Sequence, residues 1–441
     1  MTAPQQAPRV RRRVRALTVL TALAAFALLL AALVAWLNVR GEGPLAPQAL
    51  SAAQARTDVL AQGAYLARAG NCAGCHTVPG GGEPFAGGRG VETPFGTVFA
   101  PNITPDARTG IGEWSPAEFW RAMHHGRSKD GRLLYPAFPY PSFTLVSRED
   151  SDALYAYLHS LKPVSQPNVP HELRFPYSTQ AALAVWRALF FRPRAFMPES
   201  TQDAQWNRGK YLVQGLGHCA ACHSSRNFLG ATRLNAEFAG GLMPDEAWYA
   251  SSLASANEAG VQGWPQADVV RLLKTGVSAR GAVSGPMAEV VYSSTQHLSE
   301  HDIRSMVRFL QSIALREHPP EKIERAAGAV MELGQKLYGR HCASCHGEQG
   351  QGVPSIYPAL AGNRAVTLGS PNNVVQLISR GGFLPSTAGN PRPFGMPPFR
   401  HLMSDEEIAA VSTYVRQSWG NAAAPVSALD VLRVRREGVG A

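Results

Sequence analysis

The chain has 441 residues, 17% charged and 8% aromatic, with 42 Lys and Arg against 32 Asp and Glu for a formal net charge of +10. That length suits about two to four domains, and the composition excludes a chain that is disordered throughout. Nucleic-acid binding is excluded by where the charge sits. Arg9, Arg11, Arg12, Arg13 and Arg15 carry half of the excess ahead of the globular part, and no basic patch interleaved with aromatics follows.

Residues 1–15 form a basic segment, and residues 16–37 follow without a charge. A helix of that length spans about 30 Å, the thickness of a bilayer core. The arginines in front predict a cytoplasmic N-terminus and a single-pass anchor in the inner membrane, with the rest of the chain outside and Trp36 at the outer interface. The competing reading is a cleaved signal peptide, whose apolar region runs to about 7–15 residues. This stretch is longer and no Ala-x-Ala site follows closely, so an uncleaved anchor is expected. Residues 38–55 read as a linker.

A helical pattern over Asp58–Ala69 then leads into Cys72-Ala73-Gly74-Cys75-His76. The same pentapeptide pattern returns as Cys219-Ala220-Ala221-Cys222-His223 and Cys342-Ala343-Ser344-Cys345-His346. In C-x-x-C-H two thiols add across the vinyl groups of a haem, and the histidine reaches the iron from one face. A zinc half-site or a redox dithiol would not require a histidine after the second cysteine each time. The three copies use all six cysteines, so no disulfide framework remains. Three covalently bound haem c groups are therefore predicted, on Cys72, Cys75, Cys219, Cys222, Cys342 and Cys345, with His76, His223 and His346 on the irons. Such attachment is completed outside the cytoplasm, which places the haem domains on the periplasmic side. Six propionates would offset the remaining positive charge.

After the first motif come a glycine-rich loop, Gly80–Gly90, and a helix start at Ser115-Pro116-Ala117-Glu118, with a serine cap, a first-turn proline and a glutamate three residues on. A closing helix over Ser147–Leu161 completes a first domain, 56–165. Residues 166–200 are a linker carrying the amphipathic run Leu183–Phe191, which either packs on a neighbouring domain or touches a membrane surface or partner subunit. The second domain, 201–316, repeats the order: Asn207–Val213 before the motif, Trp264–Asp268, and a closing helix opened by His297–Asp302. The third, 327–421, does so more briefly, with Gly334–Tyr338 before its motif and a closing helix that starts at Leu402–Glu407 and runs through Tyr414. Residues 422–441 read as a loose tail. Each domain alone buries little surface, so haem is expected to supply much of its core.

An iron that only carries electrons is normally held from both sides, and methionine opposite histidine raises its potential. Gly285-Pro286-Met287 and Gly395-Met396-Pro397 lie where a rigid loop precedes the closing helix, so Met287 and Met396 are the predicted sixth ligands, with Met243 and Met403 as poorer-placed rivals. The matching loop of the first domain, Tyr135-Pro136-Ala137-Phe138-Pro139-Tyr140, has no methionine. Its iron is left to Met123, His124 or His125, or to five-coordination.

Helix, motif, loops, sixth-ligand loop and closing helix is the order of a class I cytochrome c domain. The chain thus reads as all-α, three tandem copies behind one N-terminal transmembrane helix. It resembles the triheme cytochrome c subunits of bacterial membrane-bound dehydrogenases, the family that serves alcohol, gluconate, sorbitol, fructose and aldehyde dehydrogenases. The resemblance is carried by the three motifs and by Ala100–Asp106, Leu134–Tyr140, Ala153–Leu158, Gly217-His218, Gly285–Val290, Tyr357–Asn363 and Ser418–Asn421. It implies a relay that takes electrons from a separate catalytic subunit of flavin, quinoprotein or molybdenum type and passes them to ubiquinone or a terminal oxidase. It also implies Met287 and Met396 as ligands. Many members have methionine where this chain has Phe138, and some bind the membrane through their last segment instead. No catalytic residue is predicted: Gly80-Gly81-Gly82 and Gly87-Gly88 lack the strand-turn-helix context of a dinucleotide loop. The alternatives are a free-standing haem enzyme of thiosulfate dehydrogenase or peroxidase type, using an open first haem, and a cytochrome c subunit of a terminal oxidase.

Overall fold

The computed structural model describes residues 7–45, 56–243, 248–316, 323–354 and 356–437. Much of the expected 38–55 linker and the last four residues of the tail lie outside that set. Helix α1 runs unbroken over Ala7–Val39. Within it, Arg13–Val39 is long and apolar enough to cross a membrane.

The remaining helices repeat one arrangement three times. Helix α2 (Thr57–Ala69) leads to the first motif, α3 (Pro116–His125) follows the loops, and α4 (Arg148–Ser160) closes back onto α2. After α5 (Gln180–Phe190), α6 (Ala204–Lys210) leads to the second motif, followed by α7 (Gln266–Thr275), α8 (Pro286–Ser293) and α9 (Glu300–Ser312), which packs on α6. In the third copy α10 (Gly328–His341), α11 (Asn372–Arg380) and α12 (Asp405–Gln417) take these parts, with α12 packed on α10.

The starts of these helices follow from local chemistry. Ser115 and Ser404 each accept a hydrogen bond from the backbone N–H of the glutamate three residues on, and that glutamate bonds back to the serine N–H. Ser147 and Ser299 cap α4 and α9 in the same way through Asp150 N and Asp302 N. Each cap satisfies a backbone donor that the first turn leaves unpaired.

The crossing of each opening helix with its closing helix is set by one glycine. A Cβ on Gly63 would stand 2.0 Å from the Ala153 carbonyl, one on Gly209 1.9 Å from Ser305 O, and one on Gly334 2.4 Å from Ala410 O. No side chain fits, so the backbones touch directly. From this glycine to the first cysteine the count differs by one between the first two copies. The second absorbs its extra residue as a π-helical turn, Tyr211–Leu216, between α6 and the motif.

Helices dominate, as expected, but the all-α description needs amending. A three-stranded antiparallel sheet joins β1 (Gly90–Thr93), β2 (Gly96–Phe99) and β3 (Glu172–Leu173), with Val91 opposite Val98 and Gly96 opposite Leu173. Two-residue ribbons pair Gly241–Leu242 with Tyr249–Ala250, Val277–Ser278 with Gly281–Ala282, and Gly382–Phe383 with Gly395–Met396. They sit in the loops that approach the motifs, where side-chain periodicity is too short to announce a strand.

The first two copies share one apolar core, which runs from Leu66, Phe119, Leu154 and Leu158 into Leu212, Leu216, Ile303 and Val307. The third has its own, built on Leu337, Tyr338, Val375, Ile408 and Val415. The tail is a correction to the sequence reading. Residues Ala428–Glu437 form a helix, α13, that lies on α11 and α12 and buries Val431 and Val434 in the third core. Its many arginines hide the apolar pair from a composition-based reading.

Candidate haem-attachment sites

The first two cysteines lie on the single turn Cys72–Cys75; the second and third motifs form the turns Ala220–His223 and Ala343–His346. On such a turn two cysteines three apart point to the same side. All six thiols are free of disulfides. Burial and the neighbouring Cys75 push the Cys72 thiol up to about 12, and burial with Cys222 does the same to Cys219. Burial and Cys345 raise Cys342 to about 11. Among the described residues no three His, Cys, Asp or Glu side chains gather as a metal site.

Each motif histidine is oriented by a backbone carbonyl. His76 Nδ1 lies 2.7 Å from Pro101 O, His223 Nδ1 2.7 Å from Ser251 O, and His346 Nδ1 2.9 Å from Pro358 O. A carbonyl can only accept, so Nδ1 carries the proton and Nε2 keeps its lone pair for a metal. Burial lowers the pKa of all three rings, with the carbonyl opposing it, which keeps them neutral as a ligand must be. The donor set of two thiols and one free Nε2 is the one a covalent haem requires. An arginine also braces two of the turns: Arg89 donates to Gly74 O and Arg226 to Ala221 O, the same position in each pentapeptide.

Met287 sits in the first turn of α8, half-buried against the shared core. Gly285 before it has φ of +53°, and a Cβ there would strike the Trp248 ring at 2.6 Å, so glycine is required at the turn. Met396 ends the ribbon with Gly382–Phe383 and faces the third core. The rival Met403 is buried in that core. In the first copy Met123, on α3, lies deep in the shared core, and Phe138 packs against the same core from its loop. His124 stacks on Trp120 at 4.4 Å, and His125 gives its carbonyl to Arg187. A cleft of about 730 Å³ opens between the second and third copies, lined by Trp264, Arg271, Ala282, Val353, Tyr357 and Pro358. It adjoins the carbonyl that holds His346.

The sequence reading missed how the first two motifs are held against each other. Tyr65 Oη donates to Asp302 Oδ2 at 2.6 Å and accepts from Ser299 N at 3.1 Å. Tyr211 Oη donates to Asp150 Oδ2 at 2.6 Å and accepts from Ser147 N at 3.0 Å. Each tyrosine of one copy thus caps the closing helix of the other, a reciprocal exchange that marks an approximate two-fold relation. Within each copy the same aspartate is held from the opening helix, Asp150 by Gln62 at 2.8 Å and Asp302 by Arg208 through both oxygens. Ser293 Oγ to Asn71 Oδ1 at 2.7 Å and an Arg89–Glu289 ion pair tie α8 to the first motif. The paired strings Gly63-x-Tyr65 and Gly209-x-Tyr211 were the available signal. The carbonyls of Pro101, Ser251 and Pro358 had a weaker one, because a backbone group has no residue type.

A cytochrome c family model matches residues 60–162 and 331–419. The gluconate 2-dehydrogenase cytochrome c subunit of Pantoea cypripedii is 38% identical over 413 residues, 90% of this chain and 93% of that one. The cytochrome c subunit of the quinone alcohol dehydrogenase of Gluconacetobacter polyoxogenes is 38% identical over 397 residues, 86% of this chain and 85% of its own. The fructose dehydrogenase cytochrome subunit of Gluconobacter japonicus is 34% identical over 444 residues, 94% of this chain and 90% of that one. Motif, donor set and full-length similarity agree: the chain belongs to the cytochrome c family, among the cytochrome c subunits of bacterial membrane-bound dehydrogenases, and so carries covalently bound haem c.

Proposed function

We propose that the protein is a triheme relay that takes electrons from a partner dehydrogenase subunit and delivers them to ubiquinone or the terminal respiratory chain. The carrying observation is the pentapeptide itself, present three times with each histidine Nδ1 tied to a backbone carbonyl. In this reading residues 56–165, 201–316 and 327–421 are three cytochrome c domains. Cys72 and Cys75, Cys219 and Cys222, and Cys342 and Cys345 hold one haem each, under His76, His223 and His346. Bound haem supplies one-electron redox chemistry at a fixed iron.

The chain's own residues do the rest. Met287 and Met396 are proposed sixth ligands. Met123 is proposed for the first haem, as the only methionine between residues 56 and 165. The Tyr65–Asp302 and Tyr211–Asp150 exchange holds the first two haem domains at a fixed separation, which a relay needs. Partner dehydrogenases of the relatives act on gluconate, alcohols and fructose, and a catalytic subunit of that general kind is the proposed donor here.

Helix α1 is proposed to anchor the chain in the inner membrane with the haem domains on the periplasmic side. Support for its retention comes from the residues just beyond the span. Asn38 Nδ2 donates to Ala184 O at 2.9 Å, Arg187 Nε to Asn38 Oδ1 at 2.9 Å, and Arg40 to Phe191 O at 2.9 Å. Glu42 is enclosed and faces Arg121 at 3.7 Å and Arg127 at 3.5 Å. A leader cut near this point would strip those partners from a built interface.

The test is purification from the native membrane in mild detergent, with haem counted per chain and co-purified subunits identified. Three haems and a bound flavin, quinone-cofactor or molybdenum subunit are expected. A stoichiometry other than three, or a chain that never brings a redox partner, overturns the relay.

A further inference from the structure

We infer that α5 and the loop at Phe228 form a second membrane contact, lying flat in the headgroup region beside the α1 anchor. The inference rests on the anchored reading above. Leu183 and Arg187, four residues apart, are buried on one side of α5. On the other side Val185 is 48% exposed and Leu189 64%, while Phe190, at the end of the helix on the Leu183 side, is 37% exposed. Trp186 Nε1 donates to Leu229 O at 2.8 Å, and this brings in Phe228, which is 87% exposed. An element of the linker and a loop of the second copy thus offer apolar side chains side by side, where a folded protein in water would gain nothing from them.

Position argues for lipid as the occupant. The patch is joined to the end of α1 by the Asn38–Ala184 and Asn38–Arg187 hydrogen bonds. Val34, Leu37 and Asn38, the half-buried side of α1, pack toward α5. Trp36 lies two residues before Asn38, about 3 Å of helix rise. If Trp36 marks the outer interface, α5 is held within about a turn of it. An amphipathic helix there settles about 5–10 Å into the headgroup and acyl boundary. Arg192 and Arg194, both exposed just past α5, suit lipid phosphates. The buried Arg187 fixes the helix's roll, since its guanidinium also donates to His125 O at 2.7 Å and Gly126 O at 3.3 Å. The contact would tilt the first haem domain onto the bilayer instead of leaving it to swing on one helix.

The test places a spin label on single cysteines introduced into the full-length holoprotein, whose own cysteines are occupied by haem. Leu189→Cys and Phe228→Cys probe the patch, Leu28→Cys the middle of α1, and Leu402→Cys an exposed residue of the third copy. In phosphatidylglycerol-containing bilayer discs, relaxation by dissolved oxygen is compared with relaxation by an aqueous nickel chelate. The expected result is an oxygen-to-nickel ratio at 189 and 228 nearer to that at 28 than to that at 402. An aqueous ratio at 189 and 228 with a lipid ratio at 28 overturns the second contact and leaves the anchor standing. An aqueous ratio at 28 overturns the anchor itself. Protection of 189 and 228 from both reagents shows a protein occupant, a second copy of the chain, and also overturns the proposal.

Discussion

Removing the Tyr211 hydroxyl should loosen the first two copies of the helical repeat together and leave the third untouched. In Tyr211→Phe the buried Asp150 carboxylate loses a 2.6 Å hydrogen bond and Ser147 N loses its 3.0 Å acceptor. A hydrogen bond to a charged group contributes about 1.5–3 kcal/mol, and an unpaired buried acceptor adds to the loss. Asp150 retains the neutral Gln62 amide on its other oxygen, whereas Asp302 retains the Arg208 guanidinium. Tyr65 is also half exposed, so water can replace its hydroxyl. Tyr211→Phe should therefore cost about 2–3 kcal/mol and Tyr65→Phe nearer 1. Denaturant unfolding of the detergent-solubilised holoprotein, followed by haem absorbance and by proteolysis of each region, would resolve the transitions. The first and second motifs should be released together at lower denaturant, with the third unchanged because its core is separate. Equal losses for the two variants, or a shift of all three transitions, would refute the asymmetry argued from Gln62 and Arg208.

Other outcomes follow from the same geometry. Gly209→Ala should cost about 3 kcal/mol or more, because its Cβ would lie 1.9 Å from the Ser305 carbonyl, and loss of holoprotein yield would report it. Asp302 is pushed upward by burial, but Arg208 and Tyr65 outweigh this and hold its pKa below the usual carboxylate value. A carboxylate depressed by folding stabilises above its unfolded pKa of about 4 and loses that contribution as pH falls through the folded value. Acid unfolding should thus begin at the joint of the first two domains, and Asp302→Asn should flatten that pH dependence. Met287→Leu and Met396→Leu should each lower one midpoint potential and open one iron to carbon monoxide, read by redox titration and reduced-state spectra, with haem content unchanged. Val431→Asp should destabilise the third domain alone by about 3 kcal/mol, since it puts a charge in a closed apolar core.

The sequence by itself determined the chemistry and the order of parts. C-x-x-C-H works through covalent geometry within one helical turn, so Cys72, Cys75 and His76 could be read without knowing the fold, as could their two repeats. The serine cap at 115 and the helix start at Ser147 were legible for the same reason, because a cap acts over three residues. The apolar stretch 16–37 is likewise a local property of composition. What only the tertiary structure decided depends on residues far apart in the chain. Gly63, Gly209 and Gly334 look like ordinary helix glycines until Ala153, Ser305 and Ala410 arrive against them. The carbonyls that fix each histidine's tautomer have no side-chain identity to read. The Tyr65–Asp302 exchange spans 237 residues, and the apolar core shared by the first two copies joins residues just as far apart in the chain. The α5 patch is the same case: its period shows that it has two faces, but only the contact with Asn38 and the burial of Leu183 and Arg187 say which face is buried.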